Sequence, residues 1–239
     1  MQHIFKRYEK KYLITAEQAA AVEAVLSDRM TPDRFDRYQV QNLYFDTDNW
    51  DIIHSSMERP YYKEKMRLRY YGSTPDAAGK AFLELKKKYA GIVYKRRIAL
   101  PVTALSRPLG DVLSDEPAQI AKELNFHLQS KQVSEKMFIT FRRKAFSGKE
   151  EDIGLRVTFD SDIRYRPNHL HFHAPETGRL VLREDYRLME IKTHTSIPLW
   201  LARLCSGKGI FAIPYSKYAT CYSDYLQHRR AETMVMDCV

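Results

Sequence analysis

The stretch that decides the fold reads Lys65-Met66-Arg67-Leu68-Arg69-Tyr70-Tyr71-Gly72 and, after a turn, Ala81-Phe82-Leu83-Glu84-Leu85-Lys86. Arg67 and Arg69 are two positions apart, as are Glu84 and Lys86. Side chains two positions apart on a β-strand point to the same face of the sheet. The pattern therefore predicts two strands, each with one charged face and one apolar face.

The same alternation recurs in strand-like segments along most of the chain. Charged or polar side chains alternate with apolar or aromatic ones at Glu9 and Lys11, at Lys95 and Arg97, at Arg156, Thr158 and Asp160, and at Glu190 and Lys192. A solvated sheet face explains most patterns of this kind. A flat sheet with one face this cationic would repel itself, whereas a sheet closed into a barrel around a polyanion would not. The pattern alone leaves both interpretations open.

The composition is typical of a protein with an anionic partner. The 239 residues carry a formal net charge of +9, with 39 Lys and Arg against 30 Asp and Glu spread through the chain. This balance fits nucleic acid, phosphate-rich small molecules or an anionic membrane surface. The three cysteines, odd in number and widely spaced, indicate a reduced, cytoplasmic protein. We expect no signal peptide, because the N-terminus lacks an apolar core, and no membrane-spanning segment, because no apolar run approaches about 20 residues. Any membrane association would need a partner.

Helical segments interrupt the strands. Thr15 and Gln18 form a capping box that predicts a helix to about Ser27. Further helices are predicted over 103–113 and 117–128, and closing helices over 198–205 and from 218 to about 230. Eight or nine strands with helices at both ends and in the middle predict one α+β domain over 1–239, with a core of about 4–228 folded as an antiparallel barrel.

An inward array of Lys and Arg is suited to phosphoryl recognition. Arg binds phosphate oxygens in a bidentate manner, and Lys acts as a point charge. Phosphoryl transfer needs positioning, charge neutralisation and usually a divalent metal. Carboxylates in the same segments offer the hard oxygen ligands that Mg²⁺ or Mn²⁺ prefers, namely Glu9, Glu84, Asp160 and Glu190.

Two features suggest a nucleic-acid surface instead, but each has a plainer explanation. The run Lys86-Lys87-Lys88 is basic, yet neighbours on a strand alternate, so Lys86 and Lys87 point to opposite faces. The sixteen tyrosines and eleven phenylalanines would suit single-stranded RNA, yet the outer face of a barrel under helices accounts for them as core. We therefore expect no nucleic-acid partner.

Five segments together resemble the VTC domain, the polyphosphate polymerase domain of the vacuolar transporter chaperone complex, which bacteria also carry as a stand-alone protein. They are residues 67–72, 83–86, 141–146, 188–192 and 216–218, and the similarity extends from Phe5 to about Leu226. The VTC domain belongs to the triphosphate tunnel metalloenzymes, or CYTH-like proteins, which include RNA, inorganic and thiamine triphosphatases. The resemblance implies an eight-stranded antiparallel tunnel with flanking helices and a basic lining.

The resemblance also implies an activity and its residues. The expected reaction transfers the terminal phosphate of a nucleoside triphosphate, such as ATP, to a growing polyphosphate chain with Mn²⁺ or Mg²⁺ as cofactor. By motif position the catalytic residues would be Arg67, Arg69, Lys86, Arg143, Arg156 and Glu190. The substrate-binding residues would be Lys11, Arg67, Arg69, Lys86, Lys95, Arg97, Arg143, Arg156, Ser216 and Lys217. Glu190 would hold the metal, with Glu84 and Glu9 as further ligands.

The chain departs from the family pattern at two positions. Hydrolytic tunnel enzymes often begin with E-x-E-x-K, where this chain has Arg7-Tyr8-Glu9-Lys10-Lys11, and the missing acidic residue disfavours a two-metal hydrolase. Phe141 stands where the pattern has a tyrosine, so any hydrogen bond from that hydroxyl to phosphate is lost. An inorganic triphosphatase or tripolyphosphatase of the same fold and a non-catalytic polyphosphate-binding module stay open as alternatives.

Overall fold

The alternating segments pair into one antiparallel sheet in this computed structural model, which describes residues 8–34, 37–58, 60–90, 92–172 and 178–236. The strands in these ranges are β1 (Tyr8–Thr15), β2 (Met30–Pro32), β3 (Tyr38–Asp46), β4 (Tyr62–Tyr71), β5 (Lys80–Tyr89), β6 (Ile92–Pro101), β7 (Ser134–Gly148), β8 (Arg156–Arg166), β9 (Arg179–Leu180) and β10 (Tyr186–Thr193). The α-helices are α1 (Ala16–Arg29), α2 (Asp51–Met57), α3 (Leu109–Asp115), α4 (Gln119–Ser130), α5 (Leu199–Gly207) and α6 (Lys217–Met236).

The sheet confirms the tunnel architecture, with two short strands added to the eight that were expected. Its hydrogen-bonded order is β1-β10-β8-β7-β3-β4-β5-β6, and β2 and β9 pair with β7 and β8. Among the described residues no ladder joins β1 to β6. Instead, the free edge of β1 is bridged by a loop, where the Ile213 N–H donates to the Lys11 carbonyl at 2.7 Å. Side chains span the opening, since Lys86 Nζ of β5 lies 3.7 Å from Glu9 Oε2 of β1.

Two apolar clusters cover the outside of the curled sheet. Helices α3 and α4 pack on β3 to β6, where Leu124 belongs to the same buried cluster as Leu68 and Leu83. Helices α1 and α5 pack on β1, β8 and β10, where Leu26 and Leu201 are fully buried. The capping box that begins α1 is present as predicted. These helices bury the apolar residues of each strand and leave the alternate, charged residues on the concave face.

A third apolar cluster lies inside the tunnel. Tyr218 and Tyr222 of α6 pack against the inward residues Val40, Ile139 and Ile163 of β3, β7 and β8. Both tyrosines are 1% exposed. Helix α6 therefore fills one end of the tunnel, and the explanation of the aromatic residues as outer core holds for only some of them.

Two helix predictions are corrected by the structure. The single helix predicted over 103–113 is divided, because Arg107 before Pro108 is extended, with φ −99° and ψ 157°, as residues preceding proline usually are. A 3₁₀ turn over 102–106 therefore precedes α3. The closing helix α6 is longer than predicted. Of the helices in the described ranges, none is both long enough and apolar enough to cross a lipid bilayer.

Candidate active site

The predicted strand residues of the site lie together on the concave face. Arg67 of β4 pairs with Glu84 of β5, and Glu84 pairs with Arg97 of β6. On the other side of the opening between β1 and β6, Lys11 of β1 pairs with Glu190 of β10. Cations outnumber carboxylates on this face: Lys11, Lys65, Arg67, Arg69, Lys86, Lys95, Arg97, Arg143, Arg156, Lys192 and Lys217 stand against Glu9, Glu84, Asp160 and Glu190.

A buried carboxylate organises the part of the site on β4 to β6. Glu84 is 2% exposed, and its Oε2 accepts a hydrogen bond from Arg67 Nε at 2.9 Å. Its Oε1 meets Lys95 and Arg97. Burial by itself would raise the pKa of Glu84, but the surrounding cations, Arg67 foremost, lower it to about 2. A metal ion at Glu84 would therefore have to displace cations that already neutralise the carboxylate.

A second buried carboxylate joins β7, β8 and α6. Asp160 is 0% exposed and accepts hydrogen bonds from Arg143 Nε at 2.6 Å and Nη2 at 2.8 Å. Lys217 Nζ lies 2.5 Å from the same carboxylate. Burial opposes ionisation of Asp160, but Arg143 and Lys217 outweigh burial and lower its pKa. Two cations share one carboxylate here, which leaves positive charge for an anion.

Glu9 and Glu190 are the carboxylates best placed to share a metal. They lie on neighbouring strands around Lys11, whose Nζ is 3.2 Å from Glu9 Oε1. Burial favours the protonated form of both, and Glu190 adds to this at Glu9, but the surrounding cations lower both pKa values. Mg²⁺ is commonly held by one or two carboxylates and substrate phosphates. Glu9 and Glu190, on neighbouring strands, supply that number of carboxylates. The described residues hold no cluster of three or more His, Cys, Asp or Glu that could bind a metal.

Arg69 and Arg156 are held in different ways. Arg69 is 8% exposed, and its Nε donates to Asn42 Oδ1 at 2.8 Å. The side chain of Arg156 is 38% exposed and is bound by Asp33 and Ser147, with Nη1 donating to each at 3.1 Å. Arg69 therefore belongs to the buried wall of the tunnel, and Arg156 to its rim.

Sequence reasoning missed Lys65, which faces the same space. Its Nζ donates to Ser216 Oγ at 3.0 Å, immediately before α6. Burial, followed by neighbouring cations that include Lys11 and Lys86, lowers the pKa of Lys65 to about 7. The signal was present, because Lys65 is two positions before Arg67 and so shares its face.

A second missed group fixes α6 in the tunnel. The Tyr218 hydroxyl donates to Asp46 Oδ2 at 2.9 Å, and the ring stacks on Tyr44 with 4.4 Å between centroids. Asp46 also accepts from two backbone N–H groups of α2, and Tyr44 Oη accepts from Arg67 Nη1 at 3.1 Å. The packing of α6 is thus linked directly to an arginine of the predicted phosphate site.

Of the two departures from the family pattern, the structure describes one. Phe141 lies beneath two cations, with Arg143 Cζ at 5.1 Å and Lys217 Nζ at 4.6 Å from its ring centroid. The ring therefore retains a cation–π interaction where a hydroxyl is lost. Arg7 lies outside the described residues.

Comparison with known proteins gives a family and a fold. The family model described as the VTC domain matches residues 6–225. A putative adenylyl cyclase from Hippeastrum, described as having a dominant triphosphatase activity, is 19% identical, with a TM-score of 0.51 over 90% of this chain and 95% of that one. A putative adenylate cyclase from Bacillus halodurans is 14% identical, with a TM-score of 0.53 over 87% and 92%. At these identities the likeness shows the fold alone. No curated protein sequence matches the chain.

Proposed function

Because the chain belongs to the VTC domain family, as its motifs predicted, we propose that it is a metal-dependent polyphosphate polymerase. It would transfer the terminal phosphate of a nucleoside triphosphate to a growing polyphosphate chain. The observation that carries the proposal is the surplus of Arg and Lys on the concave face, which α6 closes at one end. A channel lined with cations suits a linear polyanion better than a compact one.

The residues of the chain would act by binding and orienting phosphates. Arg67 and Arg69 would hold the triphosphate along β4, and Arg143 and Lys217 would meet it where α6 begins. The bond between the terminal phosphorus and the nucleoside diphosphate breaks, and a bond forms to a terminal oxygen of the acceptor chain. That oxygen is already ionised, so no side chain has to remove a proton. The cations neutralise charge that passes to the leaving group.

Glu190 would hold the metal, with Glu9 as a second ligand and phosphate oxygens completing the shell. A bound Mg²⁺ or Mn²⁺ supplies positive charge to the phosphate oxygens. Lys192 contacts Glu190 and Lys11 contacts Glu9, and these ammonium groups keep the carboxylates ionised. A bound metal would have to displace them. Glu84, the third predicted ligand, contacts three cations, Arg67, Lys95 and Arg97, and is better suited to positioning them.

Hydrolysis of a triphosphate is the second candidate function. The Hippeastrum protein with the same fold is described as having a dominant triphosphatase activity. Replacing the polyphosphate acceptor by water requires no change in the cations that bind the triphosphate. A polyphosphate-binding module would use the same cations without turnover.

The test is to incubate the purified chain with ATP and Mn²⁺, resolve the products on a gel stained for polyphosphate, and measure ADP and free phosphate in parallel. Polyphosphate with matching ADP is the expected result. Free phosphate without polymer would show that the chain is a triphosphatase and not a polymerase. Tripolyphosphate binding with no turnover of either substrate would show that it is a binding module.

Glu190→Gln tests the metal assignment separately. The variant should lose turnover and keep its affinity for tripolyphosphate, because the cations of the tunnel remain. Glu184→Gln, on the exposed turn before β10, is the matched control and should keep full turnover. Equal turnover in Glu190→Gln and the unmodified chain would remove Glu190 as the metal ligand.

A further inference from the structure

Three aromatic residues line the end of the tunnel opposite α6. Tyr38 of β3, Tyr71 of β4 and Phe82 of β5 form a row, which we call the aromatic mouth. The ring centroids of Tyr38 and Tyr71 are 6.1 Å apart, and those of Tyr71 and Phe82 are 5.9 Å apart. Neighbouring rings are tilted by 59° and 65° to each other, so the row presents both ring faces and ring edges beside the basic lining.

Core packing does not account for this surface. Tyr71 and Phe82 belong to none of the three apolar clusters, and Tyr38 only borders the third. Tyr71 is 38% exposed even with an aromatic ring on either side. Tyr71 therefore leaves surface accessible to a ligand at this end of the tunnel.

Cations of the phosphate site lie directly against the aromatic mouth. The guanidinium carbon of Arg97 is 3.7 Å from the Phe82 ring centroid, and that of Arg69 is 5.7 Å from the Tyr71 centroid. Arg69 Nη1 also donates to the Tyr71 hydroxyl at 3.4 Å. Each pair thus joins a cation of the candidate phosphate site to a ring of the aromatic mouth.

The order of these groups matches the order of groups in a nucleotide. Arg67, Arg69 and Tyr71 follow one another at intervals of two residues on one face of β4. Each interval is roughly 7 Å. Two cations followed by an exposed ring correspond to phosphates followed by a base.

We propose that the aromatic mouth stacks the base of a nucleoside triphosphate whose phosphates are bound by Arg67 and Arg69. This inference rests on the proposed function and names its substrate class as nucleotides in preference to inorganic triphosphates. Stacking accepts any base, since every base presents a π-face. The site therefore favours nucleotides over tripolyphosphate and discriminates weakly among bases.

The test compares the affinities of ATP and inorganic tripolyphosphate by isothermal titration calorimetry in EDTA, which prevents turnover. Tyr71→Leu should weaken ATP binding about tenfold more than tripolyphosphate binding, as expected for the loss of one stacked base. The lost hydrogen bond to Arg69 affects both ligands alike. Tyr71→Phe loses the same hydrogen bond but keeps the ring, so it should keep the ratio of the two affinities. Phe82→Leu tests the same surface without touching the Arg69 hydrogen bond.

The ratio of the two affinities separates a base contact from general damage to the tunnel, which would weaken both ligands together. Tyr94→Leu is the matched control, because Tyr94 is 40% exposed and, next to the inward Lys95, points outward. An unchanged ratio in both Tyr71→Leu and Phe82→Leu would overturn the aromatic mouth as a base site and leave the proposed function intact. Failure of the unmodified chain to bind either ligand would overturn both.

Discussion

Replacing Asp160 by Asn should make the stability of the tunnel depend on its ligand. The carboxylate is 0% exposed, binds Arg143 through two hydrogen bonds and contacts Lys217. Asn has the same shape, but its amide is neutral and offers one acceptor oxygen. The two cations then lose the charge that offsets their burial.

The magnitude follows from the burial of this cluster. Removing one partner of a buried ion pair costs about 3–5 kcal/mol, and Asn retains one acceptor, so we expect about 3 kcal/mol. For a chain of this size 1 kcal/mol corresponds to roughly 2–4 °C in Tm, so Asp160→Asn should melt roughly 6–12 °C lower. Asp162→Asn is the matched control. Its ion pair with Arg164 on the same strand is partly exposed and should contribute less than about 1 kcal/mol.

The assay is thermal unfolding with and without inorganic tripolyphosphate. The ligand supplies the negative charge that Asp160→Asn lacks, so it should raise the Tm of this variant more than that of the unmodified chain or of Asp162→Asn. An unchanged Tm in Asp160→Asn would refute the buried charge pairing. Equal ligand shifts in all three proteins would show that Arg143 and Lys217 do not meet phosphate.

The pH dependence of the same variant has a definite sign. Because the folded-state pKa of Asp160 is lowered, its contribution to stability is present above the usual aspartate pKa and is lost as pH falls through the lowered value. The difference in Tm between the unmodified chain and Asp160→Asn should therefore narrow below about pH 4. A difference in Tm that stays constant as the pH falls below about 4 would mean that the ionised carboxylate is not the stabilising group.

Three further substitutions test the surroundings of this cluster. The affinity for tripolyphosphate should fall as pH rises through about 7, where Lys65 loses its proton, and Lys65→Met should remove this part of the pH dependence. Calorimetry at about pH 6 and about pH 8 measures the affinities. Identical pH profiles in the variant and the unmodified chain would contradict the prediction. Tyr218→Phe should lower the free energy of unfolding by about 1 kcal/mol through loss of its hydrogen bond to Asp46, and an unchanged urea midpoint would argue against that bond. Arg67→Ala should weaken tripolyphosphate binding by about 1–3 kcal/mol, whereas unchanged affinity would place Arg67 outside the site.

A period of two in the sequence was enough to bring the tunnel residues together. Arg67, Arg69 and Glu84 lie on the concave face because the residues between them are apolar and are buried under α3 and α4. The same rule places Lys65, which was overlooked because it lies outside the family motif. The alternation thus indicates a residue of the candidate site that the motifs omit.

The contacts of α6 were beyond any local pattern. Tyr218 and Asp46 are 172 residues apart in the chain, and nothing near either residue indicates that they meet. Alternation also does not decide whether an aromatic ring is buried outside the sheet or within it, so the inward position of Tyr44 and Tyr218 was not predicted. The opening between β1 and β6 was also beyond any local pattern, because the loop at Ile213, which occupies the edge of β1, is distant from β1 in the chain.

The position of α6 bears on how the proposed polymerase would differ from a hydrolase. With the base of the proposed substrate at the aromatic mouth, its terminal phosphate would point toward Lys65, Ser216 and the start of α6. In-line displacement requires the acceptor to approach from the side opposite the leaving group, which is the end that α6 fills. A water molecule needs little room there, whereas a polyphosphate chain needs a path past Tyr218. We therefore expect polymer synthesis by the proposed polymerase to depend on how firmly the Asp46–Tyr218 contact holds α6 in place, and hydrolysis not to depend on it.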